Sequence, residues 1–234
     1  MHMMKSLLSF HLVTISPWPL FMSANSYFFM MGMMKMVMLK KVDLLILSSI
    51  MMMFVFFMWM RDIIRESTYS GEHTNKVVEG LKLGMILFII SELMFFFSFF
   101  WGAIYVGSHP SIFIGALWPS WGISPIENMN VPLLGTLILL SSGVTVTICH
   151  KQMLENVYEP KFLFITIILG VMFSILQMME YIENSFCFND SVYGSFFFLA
   201  TGFHGFHVIL GTIMLSSMLF RKTKGHFSNS HMTG

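Results

Sequence analysis

The chain has 234 residues, 56% hydrophobic and only 11% charged, with a mean hydropathy of +0.74 and a formal net charge of +1. Soluble domains carry about 25% charged residues, so a water-solvated globular fold is excluded and the bilayer is the expected solvent. The near-neutral balance and the lack of any basic block give no basis for a nucleic-acid partner.

Taken in chain order, six apolar runs near the length needed to cross a bilayer are expected at about 18–34, 44–60, 81–105, 131–150, 162–182 and 192–220. The first opens after the breaker Ser16-Pro17-Trp18-Pro19. The last is longer than a bilayer requires, so it is expected to tilt or protrude. The runs are continuous, without ten-residue alternation, so helices are expected rather than a barrel. The fold class is therefore all-α, a polytopic transmembrane helix bundle with six spans. Methionine and phenylalanine are abundant, at 25 and 26 residues. The methionines fall inside spans where leucine would serve, which reads as mutational bias and not as a copper-handling surface.

Lysine and arginine in the loops set the orientation. Ten of the 13 lie on one side: Lys5, Arg61, Arg65, Lys76, Lys82, Lys151, Lys161, Arg221, Lys222 and Lys224. Lys35, Lys40 and Lys41 lie on the other. Both termini are thus expected inside.

The chemistry-bearing residues are few. Glu92 stands inside the apolar stretch 83–100, and an ionisable group at hydrocarbon depth is a functional candidate by default. It is either a proton-linked acid or a buried structural one. His204 and His207 are three apart and share a helix face, but no third His or Cys ligand converges on them. A buried polar pair is expected, with no metal. Gln177 and Glu180 are also three apart, and Glu180 is expected to face His204 or His207, forming one buried polar cluster of four residues. Glu183 reads as interfacial. At the inside surface, Arg61, Arg65 and His73 can donate to phosphate. Cys149 and Cys187 are expected near opposite surfaces, about 30 Å apart, as free thiols. Gly194, Gly202, Gly205 and Gly211 read as helix-packing positions. A catalytic triad, a phosphate loop and paired catalytic carboxylates are all missing from the pattern. A stand-alone proton-coupled transporter using Glu92 would be expected to carry inverted repeats and broken helices, and neither is seen.

Several longer strings run in order along the chain: Gly84-Met-Ile-Leu-Phe-Ile-Ile-Ser-Glu92-Leu-Met-Phe-Phe-Phe-Ser-Phe-Phe-Trp101, Arg61-Asp-Ile-Ile-Arg-Glu-Ser-Thr-Tyr-Ser-Gly-Glu-His-Thr74, Trp118-Pro-Ser-Trp-Gly-Ile-Ser-Pro125, Val131-Pro-Leu-Leu, Leu140-Ser-Ser-Gly-Val144 and Tyr193-Gly-Ser-Phe-Phe-Phe-Leu-Ala-Thr-Gly-Phe-His-Gly-Phe-His207. With Ser16–Pro19, they resemble mitochondrial cytochrome c oxidase subunit III from about Phe10 to the last residue; 23–58 is weakly matched. The close rival is subunit III of a bacterial haem–copper quinol oxidase.

The resemblance implies one subunit III domain over 1–234, with the first two helices in 1–60, an inside loop in 61–80 and the main bundle in 81–234. It implies a non-redox core subunit of an enzyme complex that reduces oxygen with electrons from cytochrome c and translocates protons. Haem a and copper would sit in partner subunits, and this chain would bind none. Subunits I and II, accessory subunits and phospholipid are the implied partners. The implied location is the mitochondrial inner membrane, multi-pass, with the N-terminus on the matrix side. The first sixteen residues hold one lysine and no arginine, so no transit peptide is read and synthesis inside the organelle is expected. Family members react with a hydrophobic carbodiimide at the carboxylate matching Glu92. They also hold phospholipid in a V-shaped cleft whose headgroup end would be lined here by Arg65, Glu66 and His73, with Arg61 and Arg221 as further lipid contacts. Three departures stand out. Family members usually have seven helices, so the chain ending at Gly234 is expected to be a fragment, the alternatives being a truncated gene or a separately encoded last helix. Met60 replaces the family's usual Trp, and Glu72 stands where His is common.

Overall fold

The computed structural model describes residues 10–227 except 12, 156 and 158. Lys5 and residues 228–234 lie outside the described residues. Among the described residues six α-helices form: α1 Trp18–Leu39, α2 Asp43–Thr68, α3 Asn75–Ser108, α4 Val131–Leu154, α5 Lys161–Glu183 and α6 Val192–Thr223. A 3₁₀ turn, Ile112–Ile114, lies in the loop between α3 and α4. No strand occurs among the described residues, as the uninterrupted apolar runs require.

Five of the helices, α2 to α6, are long and apolar enough to cross a membrane. The first has the length, 22 residues or about 33 Å. Ser23, Asn25, Ser26 and Lys35 dilute its apolar character, so its place among six spans does not rest on hydropathy. Each expected run becomes a helix, and most are longer than read. Hydrocarbon thickness fixes only the apolar part, whereas an α-helix satisfies its own backbone and can continue into the headgroup zone. The clearest case is the expected inside loop 61–80. Helix α2 runs on to Thr68 and α3 begins at Asn75, leaving only 69–74 irregular.

Helix starts follow proline chemistry. Pro19 and Pro132 occupy the first turns of α1 and α4, where no backbone N–H is needed. Pro160 precedes α5. Ser191 caps α6, its hydroxyl accepting the Gly194 N–H at 3.1 Å.

The chain forms two compact units, divided at Gly84 within the sequence of α3. The first contains the α1–α2 hairpin. Lys40 takes a left-handed conformation at the end of α1, and Lys35 bonds Asp43 across the turn at 2.6 Å. At Gly32 a Cβ would lie 2.8 Å from the backbone of Leu45, so only glycine permits this crossing. Trp18 Nε1 donates to Asp62 Oδ2, tying the start of α1 to the end of α2.

In the second unit α4 packs on α5 and α5 on α6 at close range. Hydroxyls link them: Thr145 with Thr166 at 2.8 Å and Tyr181 with Thr201 at 2.7 Å. Helices α3 and α6 meet only through long side chains. Phe95 and Phe99 both contact the Phe203 ring, at 5.0 and 5.6 Å between centroids. Phe196 lies over Gly102. Residues 92, 95, 96, 99 and 102 thus form one stripe at helical spacing, meeting an antiparallel stripe on α6. Cys149 is buried and Cys187 exposed, and both are free thiols.

Candidate functional site

Glu92 heads the aromatic stripe of α3. It is the eighteenth residue of a 34-residue helix, and His207 is the sixteenth of the 32 residues of α6. Two antiparallel helices with these midpoints place both side chains at one depth. His207 Nε2 lies 2.9 Å from Glu92 Oε2. Its other nitrogen, Nδ1, lies 2.6 Å from the carbonyl oxygen of Phe203. The ring of Phe96 covers the imidazole at 5.3 Å. Within this chain the two side chains remain about one-third exposed, 33% for Glu92 and 35% for His207.

The geometry fixes the protons. A carbonyl can only accept, so Nδ1 carries hydrogen. If the imidazole is neutral, Nε2 is a bare acceptor and Glu92 donates as a carboxylic acid. If Nε2 is protonated, an imidazolium faces a carboxylate. Both states hold one proton in the bond and give a pair with no net charge. Such a pair is far less costly at hydrocarbon depth than a lone carboxylate. The shared proton can shift between Glu92 and His207 without changing the net charge of the pair.

The expected four-residue cluster divides. His207 bonds Glu92 and not Glu180. Gln177 Nε2 donates to Glu180 Oε2 at 3.3 Å on α5, and no hydrogen bond joins that pair to either histidine. His204 is exposed on α6 and sets its ring against Phe173 at 5.6 Å. The reason is depth: Glu180 is the twentieth of 23 residues in α5, near the membrane surface, while His207 lies at mid-helix. Glu180 instead lines a cavity of about 340 Å³ with Glu127, Asn130, Glu183 and Asn184. Nothing in the sequence pattern signalled this cavity, because its walls come from a loop and a helix end. Among the described residues no group of three or more His, Cys, Asp or Glu could hold a metal.

The basic residues at the end of α2 are part of a surface network. Arg61 bonds Asp62 at 3.1 Å. Glu66 accepts from Thr14 Oγ1 at 3.2 Å and stands 3.8 Å from His11 Nε2, so its carboxylate ties the N-terminal segment to α2. Arg65 is exposed and His73 half-buried. Arg221 is 9% exposed, its guanidinium 4.8 Å from the Phe227 ring. Beside it Lys222, 5% exposed, donates to the Glu159 carbonyl at 2.6 Å.

A profile described as cytochrome c oxidase subunit III matches residues 8–234. The chain belongs to the cytochrome c oxidase subunit III family. Similar curated proteins, each named cytochrome c oxidase subunit 3, come from Aedes aegypti, Drosophila melanogaster and Myxine glutinosa. The first two are 48% and 46% identical over 96% of this chain and 87% of their own length. The Myxine glutinosa protein is 44% identical over 99% of this chain and 90% of its own. As a subunit III family member, the chain is a multi-span component of respiratory complex IV, an oxidoreductase assembly of several subunits.

Proposed function

We propose that this chain is a non-redox core subunit of cytochrome c oxidase in the mitochondrial inner membrane, with its N-terminus on the matrix side. It supports the subunit I centre that reduces oxygen with electrons from cytochrome c while protons are translocated. It packs against subunits I and II and accessory subunits, and haem a and copper stay in those partners. The observation that carries the reading is the Glu92–His207 pair at mid-span in a chain of this family. The pair offers a held proton and no metal ligand set, which suits a supporting role beside a redox centre. We assign it a structural or proton-buffering function, not an obligatory relay.

A second part of the reading is lipid retention. Arg65 and His73, with Arg61 and Glu66, form the headgroup end of a phospholipid site, and Arg221 is a further contact. A basic patch at a membrane surface attracts anionic lipid. Depleting this chain from the purified complex tests the proposal. Haem and copper are expected to remain with the other subunits and the initial electron-transfer rate to persist. Phospholipid leaves with the chain, and inactivation during turnover accelerates. Loss of stoichiometric haem or copper with the released chain would overturn the non-redox assignment.

A further inference from the structure

Between Glu92 and Glu127 the chain contains no Lys, Arg, Asp or Glu. Part of this stretch is the second half of α3, which crosses the hydrocarbon. The rest is loop, and an uncharged loop in water is unusual. Its apolar side chains are nearly naked: Ile112 is 87% exposed, Phe113 101% and Trp121 79%.

The position of the loop explains the exposure. Counting from Leu83, just after Lys82, about 20 residues cross the hydrocarbon. The far boundary then falls near Trp101 and Tyr105, where amphipathic rings are favoured. Helix α3 ends at Ser108, three residues past Tyr105 and about 5 Å further along its axis, still within the depth of the headgroup zone.

The turn satisfies its own backbone. Ser111 Oγ accepts the Phe113 N–H at 3.3 Å, and the Gly115 and Ala116 N–H groups bond the carbonyls of Ile112 and Ser111, each at 3.1 Å. Gly115 at φ +88° and Ala116 at φ +52° close it. Trp121 lies against Gly115, with Cδ1 3.3 Å from where a Cβ would be. A Cβ at Gly115 would crowd the indole as well as strain the backbone. The turn therefore presents two large apolar side chains and an indole on a backbone with few open polar groups, a form that tolerates a low-polarity medium.

We propose that Ile112, Phe113 and Trp121 form an interfacial foot, inserted into the headgroup–acyl boundary of the bilayer at the surface where α3 ends. The occupant of this apolar face is lipid. The face continues the bilayer surface that α3 has just crossed. It also lacks the charged rim that a water-exposed protein interface carries. The foot fixes the depth of the α3–α4 connection and so holds α3 in register with the membrane.

The intact complex, reconstituted in vesicles of phosphatidylcholine containing a glycerol-proximal photoactivatable phosphatidylcholine, provides the test. After irradiation, peptide mass spectrometry locates lipid adducts, and hydroxyl-radical footprinting in parallel reports water access. The expected result is lipid adducts on Ile112 or Phe113 and on Trp121. Oxidation of Phe113 and Trp121 should fall several-fold below that of a free peptide spanning 109–126. Oxidation equal to the free peptide without lipid adducts would place the foot in water and overturn the proposal. Protection without lipid adducts would mean that another subunit covers it, and this too would overturn the proposal.

Discussion

His207 changes what Glu92 can be. Alone at hydrocarbon depth a carboxylate would cost several kcal/mol; opposite an imidazole whose Nδ1 is committed to the Phe203 carbonyl, it shares a single proton and the pair is neutral. Glutamine at position 92 reproduces one half of this exchange, because its amide can donate to the bare Nε2. Glu92→Gln is therefore expected to change assembly stability by less than about 1 kcal/mol. Glu92→Leu leaves a polar nitrogen unpaired, at about 1–3 kcal/mol. Thermal dissociation of the assembled complex measures both, and equal loss in the two variants would refute the bonded pair. Glu92 is conspicuous in the sequence because nothing near it is charged. Its partner is not, since several acids and histidines share the second half of the chain. Only position along the helix discriminates: Glu180 lies near an end, Glu92 and His207 near two midpoints.

Helices in lipid associate through shape more than through hydrophobic drive, and the α5–α6 crossing depends on one missing side chain. A Cβ added at Gly170 would overlap Thr212 Cγ2, and threonine in a helix has little rotamer freedom to retreat. Gly170→Ala is expected to destabilise the α5–α6 pair by about 1–3 kcal/mol. Thr212→Ser removes the offending methyl and keeps a hydroxyl that can donate to Ile209, as Thr212 does at 2.8 Å. Combined with Gly170→Ala it should restore most of the loss. Assembly yield and thermal stability of the two single variants and the double variant give the coupling, and additive effects would disprove the contact. Reading glycines at packing spacing found the type of residue but not this one; Gly202 and Gly211 have no close neighbour within ordinary contact distance, other than Tyr181 Oη 3.8 Å from the former. Span locations were legible because bilayer thickness dictates run length. Helix ends were not, because beyond the hydrocarbon they depend on local features such as the Ser191 cap of α6 and the Lys35–Asp43 pair across the α1–α2 turn.

At the scale of the molecule, the basic-residue bias and the alternation of helices assign each loop to a side, and the two cysteines report on that assignment. Cys187 is exposed in the 184–191 connection between α5 and α6, where its backbone N–H is held by Asp190 at 2.6 Å. Cys149 lies near the opposite end of α4, 2% exposed, with Lys222 Nζ 3.6 Å from its sulfur. In the proposed topology, with the N-terminus on the matrix side and α1 to α5 all crossing, the α5–α6 connection faces the intermembrane space. A membrane-impermeant maleimide added to mitoplasts should modify Cys187 from outside. Cys149 should react only after denaturation, since its thiol is enclosed by packed helices and not merely screened by the bilayer. Peptide mass spectrometry distinguishes the two sites without any substitution. Modification of Cys187 only in inside-out particles would reverse the topology, and with it the side assigned to Arg65 and His73. Rapid labelling of Cys149 in the native complex would instead show that the α4 and α6 ends are open there, contrary to the buried Lys222–Cys149 contact that closes them.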